Sequence, residues 1–327
     1  MPENEDDETK PQSPSTSKNP HRQIRWYDTP KPIKWLFNKV PLQILPPNEL
    51  PHRTTQTRNI NTLYIFARDG EEHQGEPSFN PSCLKWQAYL KFMGIDFVTV
   101  ASNNHASPTG ALPFLIPASS SPFENSLPIP SNKIQQWARE QNSAREEPSD
   151  MRYDAYKVLL DHRIRDAWTY TLYLEPPNFN HIATPLYIYP STTSFPLRSH
   201  LSTTLRFAAL TSLLSSPPST YPLFTSFGTT SISPEKIYTC AAEAFEALST
   251  LLGDDEYFFG AEGPGLLDAA VFAYTHLLLD DEMGWQEMRF CREVMERGNL
   301  VRHRKRCYKR FSGKGKEKDD WKTWERP

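Results

Sequence analysis

The sequence predicts two domains in tandem, an α+β domain at residues 59–140 and an all-α domain at residues 150–311. Three observations carry this. Residues 62–100 hold a strand-like run (Thr62 to Ala67), a helix-like run (Pro81 to Met93) and a second strand-like run (Ile95 to Val100). The segment Gly110-Ala111-Leu112-Pro113-Phe114-Leu115-Ile116 then opens a third strand on a Leu-Pro step. Beyond Asp150 strand signals thin out and helical periodicity dominates.

In the first helix, Leu84, Ala88 and Phe92 form one apolar row, with Trp86, Leu90 and Met93 on another side. A helix apolar on two sides is expected to be sandwiched between a sheet and a second domain. Gly94 is placed to end it in a left-handed conformation. Lys133 to Glu140 reads as the helix closing this domain, and the polar residues 141–150 as a linker. Met151 to Leu174 reads as one long helix with a stripe from Tyr153 to Leu172, stopped by Pro176-Pro177. Residues 176–196 read as a proline-rich loop, Leu197 to Leu214 as a helix and 215–232 as an exposed Ser/Thr/Pro-rich excursion. Ser233 is an expected N-cap with Pro234 at the first helical position, and Gly253 an expected stop. Gly265 precedes an almost wholly apolar helix. Asp268, three residues on, is placed to close a capping box and is read as structural, with His276 as a core histidine.

Outside the domains, residues 1–58 are expected to be a disordered tail carrying one short amphipathic helix, and 312–327 a basic, polar tail. In the N-terminal helix Ile33, Leu36, Phe37 and Val40 fall on one face beside Trp35, with Pro32 at its start and Pro41 at its end. It either docks on its own domain or packs on a partner or lipid surface. Charge is placed unevenly: residues 1–10 hold five acids and one Lys, and residues 302–318 nine Lys or Arg against Glu317. Removing these tails, −4 and +8, from the net −3 leaves the body near −7. That overall balance gives no reason to expect nucleic acid. The basic run Arg302, Arg304, Lys305, Arg306, Lys309 and Arg310 suits an anionic membrane surface or an acidic partner, or is simply solvated.

Cys83, Cys240, Cys291 and Cys307 have no paired spacing, so reduced thiols are expected. Cys291, His303 and Cys307 supply three groups at loose spacing, too few for a structural zinc site, and no metal is expected. No apolar run reaches the ~18 residues of a membrane span. The acidic N-terminus is the opposite of an Arg-rich transit peptide. No phosphate loop, dinucleotide fingerprint or hydrolase motif is present.

The strand–helix–strand order with its Leu112-Pro113 step resembles a thioredoxin-like domain. Residues 59–311 together resemble the glutathione-transferase fold, an α+β thioredoxin-like domain followed by an all-α domain. The resemblance implies that Pro113 is cis and structural, and that Gly265–Val271 is the buried helix start of that fold, with Gly where Ser or Thr is usual. The run from Pro81 to Phe97 (PSCLKWQAYLKFMGIDF) and Asn299-Leu300-Val301-Arg302-His303-Arg304 resemble, more specifically, the metaxin family. Metaxins are glutathione-transferase-like subunits of the mitochondrial sorting and assembly machinery, which inserts β-barrel proteins into the outer membrane. The absence of an anchor after the basic tail makes the chain look like the fungal peripheral subunit that receives the β-signal on the cytosolic face.

That resemblance implies several partners: an outer-membrane β-barrel core subunit, a second metaxin-like subunit, β-barrel precursors and the membrane surface. Ile33, Trp35, Leu36 and Phe37 and the basic run from Arg302 to Arg310 are the expected contacts. Glutathione chemistry is the alternative. Ser82 or Cys83 at the first helix start has the right chemistry to hold a thiolate, and an exposed Cys83 there would have a lowered pKa. The γ-glutamyl grip, however, needs an acid before a serine, and Pro130-Ser131 has proline in the acid's place. The chain is therefore expected to be no enzyme and to need no cofactor. The alternative is an atypical glutathione transferase or thiol oxidoreductase using Cys83.

Overall fold

The computed structural model describes residues 59–68, 75–118, 127–141, 151–216, 222–224 and 230–313. The expected N-terminal helix with Ile33, Trp35, Leu36 and Phe37, and the tail beyond 313, lie outside these residues. Strand β1 (Asn61–Ile65) is buried along four of its five residues, as a strand covered on both faces must be. Helix α1 (Pro81–Phe92) carries the chain over to β2 (Phe97–Ala101), which pairs in parallel with β1, Leu63 opposite Thr99. β3 (Phe114–Ile116) returns antiparallel on the other side of β1, Leu63 opposite Leu115, and β4 (Ile129–Pro130) adds to β3. The sheet order is β2-β1-β3-β4. Tyr64 and Phe114 stack across β1 and β3 at 4.5 Å.

α1 buries nine of its twelve residues, which requires cover on opposite sides. Asn80 caps it, Pro81 fills the first position, and Gly94 at φ 70° turns the chain away after it. α2 (Ser131–Gln141) follows β4 directly.

The helical part opens with α3 (Met151–Leu159), a π turn (Leu160–Ile164), α4 (Arg165–Thr169) and a second π turn (Tyr170–Leu174). The single helix expected over 151–174 is thus helical throughout but widened twice. The loop expected over 176–196 is mostly helical instead: a turn at Pro176–Asn178, a π-helical stretch at Phe179–Ile188 and a 3₁₀ turn at Tyr189–Ser191. The prolines explain the difference. Pro176 and Pro177 end one helix by forcing Glu175 extended, yet sit at the first positions of the next. Pro185 lies inside the wide π stretch. Phe179, Ile182, Ala183 and Leu186 repeat at helical spacing, and the first three are buried. Buried Asn178 clips this region down: its Oδ1 accepts from Gln286 N and Glu287 N (2.9 and 3.0 Å) and its Nδ2 donates to Thr171 O (3.1 Å).

Helix α5 (Phe195–Leu214) is followed by a short antiparallel pair, β5 (Pro222–Phe224) and β6 (Thr230–Ile232), inside the segment expected to be a plain excursion. α6 (Pro234–Leu252) starts on Ser233, whose Oγ accepts from Lys236 N (3.4 Å), and ends at Gly253 with φ 53°. α7 (Leu266–Leu278) buries eleven of its thirteen residues and is the axis of the helical part. It packs on α1, with Phe92 and Phe272 rings 6.3 Å apart, and on α9 (Gly298–Ser312). α8 (Arg289–Met295) closes against α6. Each large side chain buried in these contacts contributes about 1.5–3 kcal/mol by removal from water. Among the described residues no helix is long and apolar enough to cross a membrane.

Candidate functional site

The start of α1, where the resemblance implies a thiolate-holding group, is filled by the chain's own side chains. Asn80 Oδ1 accepts from the backbone N–H groups of Ser82 (3.0 Å) and Cys83 (3.2 Å), so the donors at this helix end are already used. Asn80 Nδ2 donates to the Tyr187 hydroxyl (3.2 Å) from the π-helical stretch. Tyr187 meets Phe66 and Phe79 edge-on, at 5.4 and 5.2 Å, and Tyr173 at 5.8 Å. Burial among these rings, then the neighbouring Tyr173 hydroxyl, pushes the Tyr187 phenol well above its ordinary value. The Ser78 hydroxyl donates to Phe66 O, while Ser78 N donates to Gln87 Oε1 (2.8 Å).

Cys83 is fully buried. Burial pushes its thiol up to about 12, against smaller lowering contributions from Phe66 and Ser78, so it is a neutral thiol at physiological pH. The lowered pKa expected of an exposed Cys83 is thus reversed by its environment. Ser82 is exposed.

Leu112–Pro113 is a cis peptide, buried at the head of β3. The Leu112 N–H donates to Asn104 Oδ1 (3.0 Å), so a side chain of this chain takes the backbone donor before Pro113. The first turn of α2, after Pro130, holds no acid. Nothing in that turn balances the ammonium of a γ-glutamyl group.

A second buried polar cluster lies in the helical part. Asp268 Oδ2 accepts from Gly265 N (2.9 Å), closing half of a capping box, because glycine has no hydroxyl to answer it. Its Oδ1 accepts from Phe258 N (3.0 Å) and from His303 Nε2 (2.8 Å). Cys307 Sγ lies 3.5 Å from His303 Nε2. Thiol, imidazole and carboxylate are the components of a nucleophilic site, but here thiol and carboxylate both meet Nε2 rather than opposite ring nitrogens, and Asp268, His303 and Cys307 are all buried. Burial, then the Asp268 charge, pushes the Cys307 thiol well above its ordinary value. The cluster ties α7, α9 and the Phe258 turn together. Among the described residues no group of His, Cys, Asp and Glu is arranged to hold a metal.

The basic run on α9 divides. Arg304 Nη2 donates to His276 Nδ1 (3.2 Å), and Arg306 donates to the carbonyls of Asp255 and Glu256 (2.9–3.2 Å). These two arginines bind the chain's own backbone and core. Arg302, Lys309 and Arg310 are exposed, and Lys305 is half-buried.

Sequence reasoning missed Asn80, Asn104, Tyr187 and the His303 partner of Asp268. Asn80 had a signal, because Asn before Pro is an N-cap signature. The others are set by contacts 8 to 107 residues away in the chain and had none.

A family model described as the glutathione S-transferase N-terminal domain matches residues 81–178, and one described as the glutathione S-transferase C-terminal domain matches residues 241–307. Metaxin-3 of Xenopus laevis is 31% identical over 203 residues, 61% of this chain and 62% of that protein. The chain thus matches under two thirds of that relative's length. Among solved structures, glutathione transferase F7 from Populus trichocarpa is 12% identical over 77% of this chain and 98% of that one, with a TM-score of 0.41. A Methylobacterium radiotolerans glutathione S-transferase in complex with glutathione sulfonate is 17% identical over 77% and 92%, also at 0.41. The fold assignment rests on the two family models and the β2-β1-β3-β4 sheet followed by helices. The chain carries a glutathione S-transferase fold and is similar to metaxin-3 over 203 residues.

Proposed function

We propose that this chain is a non-catalytic, peripheral subunit of the mitochondrial outer-membrane β-barrel assembly machinery. It sits on the cytosolic face, binds the β-signal of precursors and supports their insertion. Its partners are the membrane β-barrel core subunit and a second metaxin-like subunit. The likeness to metaxin-3 supports the family side of this reading. The observation that carries the non-catalytic side is the closed start of α1: Asn80 and Tyr187 occupy it and Cys83 is fully buried. A thiol transferase needs an accessible thiolate or a free donor for one. Cys83 does not offer the first, being buried as a neutral thiol; the Ser82 hydroxyl stays exposed as a donor, but no acid opens α2 to grip a γ-glutamyl end. The alternative enzyme reading would need Cys83 to become accessible.

The test is a pull-down of the tagged full-length chain from detergent-solubilised mitochondria, beside a glutathione resin. Recovery of an outer-membrane β-barrel protein and a second metaxin-like chain, with nothing retained on the resin, is the expected result. Retention on the resin, with turnover lost in Cys83→Ser and no barrel protein recovered, overturns it.

A further inference from the structure

A groove of about 730 Å³ lies between α5 and the π-helical stretch 179–188. Its composition is unusual for a solvated surface. Phe195, Phe207 and Tyr189 line it while 81%, 68% and 48% exposed, and Phe179 lies among the lining residues. Arg198 and Arg206 also line it, and no Asp or Glu does. Helix α5 has no acidic residue anywhere in its twenty.

Both guanidinium groups are held in place without being neutralised. Arg198 lies over the Tyr189 ring (4.4 Å) and gives only its Nε–H to Thr192 O (2.8 Å). Arg206 lies over the Phe179 ring (5.4 Å) and reaches Leu174 O at 3.5 Å. Among the described residues neither meets a carboxylate, so each keeps N–H donors for an incoming one. Eight residues apart on a helix, they stand about 12 Å apart along its axis.

The groove also offers acceptors. Ser202 and Thr203 give their hydroxyl protons to Arg198 O and Ser199 O (2.8 and 3.0 Å), which leaves their oxygen lone pairs for donors from outside.

We infer that this groove docks an acidic, apolar peptide segment of a partner protein. Its carboxylates meet Arg198 and Arg206, its bulky side chains meet Phe195 and Phe207, and its backbone N–H groups meet the hydroxyl oxygens. A peptide supplies carboxylate acceptors and N–H donors together. A lipid phosphate supplies acceptors only, and a flat bilayer does not enter a concave groove. An extended segment spans about 12 Å in about four residues, which places the two acids on one face. The inference stands apart from the assembly reading and uses none of the residues that close the start of α1.

The test is fluorescence anisotropy on the full-length chain. The probe is a labelled peptide with two glutamates about four residues apart and Phe and Leu between them. A control peptide carries Lys for both glutamates. Saturable binding of the acidic peptide alone is expected. Its affinity falls at least about tenfold in Arg198→Gln/Arg206→Gln, since each charge-assisted hydrogen bond is worth that much or more. It falls also in Phe207→Ser, whose side chain is exposed and whose melting is expected to match wild type; a melt of each variant separates lost binding from lost fold. No binding, or binding that neither variant weakens, overturns the proposal. So does capture of phosphatidylserine-containing vesicles, or self-association of the chain, that is lost in these same variants. Those outcomes would give the groove to lipid or to a second copy.

Discussion

Asp268 concentrates three hydrogen bonds on one buried carboxylate, from Gly265, Phe258 and His303. Removing it leaves the buried Phe258 N–H, the part-buried Gly265 N–H and an imidazole without their acceptor, so Asp268→Ala is expected to cost about 3–5 kcal/mol in urea unfolding. A cost under about 1 kcal/mol would mean that the cluster is incidental. His276 gives a second expectation, in pH. Burial first, and the Arg304 charge second, hold its folded-state pKa well below 6.5. Neutral His276 therefore contributes stability that is fully present above pH 6.5 and is lost as pH falls below it, because the unfolded chain takes the proton first. Phe272 and Tyr308 stack on the ring, and Asp280, near Arg304, has its carboxyl raised by burial. The Asp280 contribution has the opposite sign and belongs nearer the carboxylate range. The urea midpoint of the wild type should fall between about pH 6.5 and 5.5 more steeply than that of His276→Gln. Parallel falls in the two proteins would contradict this.

At the scale of elements, the π-helical stretch 179–188 decides what the start of α1 looks like. Tyr187 bonds Asn80 and packs on Phe66 and Phe79. Tyr187→Ala should destabilise the chain by about 3 kcal/mol through lost ring packing, and Tyr187→Phe by about 1 kcal/mol through lost hydrogen bonds. Equal costs for the two would show that the hydroxyl, not the ring, carries the contact. This element is also where the sequence was hardest to read. α1, α6 and α7 were legible because end signals and apolar pattern agree: Pro81 and Gly94 bracket α1, Ser233 and Gly253 bracket α6, and Gly265 with Asp268 opens α7. In 176–191 the prolines argued for a loop while Phe179, Ile182, Ala183 and Leu186 kept helical spacing, and packing against the core decided for helix. Cys83 was legible as a candidate by its place at a helix start. Its burial was not, because it comes from the assembled core rather than from the local sequence.

In the molecule as a whole, α1 and α7 join the sheet to the helices through one continuous core, in which Phe92, Phe272 and Phe311 are buried together. The start of α1 is occupied from within. Asn80 uses the helix donors, Asn104 uses the Leu112 N–H, and no acid opens α2. The most direct test is a calorimetric titration of the full-length chain with reduced glutathione. The account predicts no saturable heat at millimolar ligand. Saturable binding that weakens in Cys83→Ser would contradict it, because it would require the start of α1 to open and the Cys83 thiol to meet the ligand.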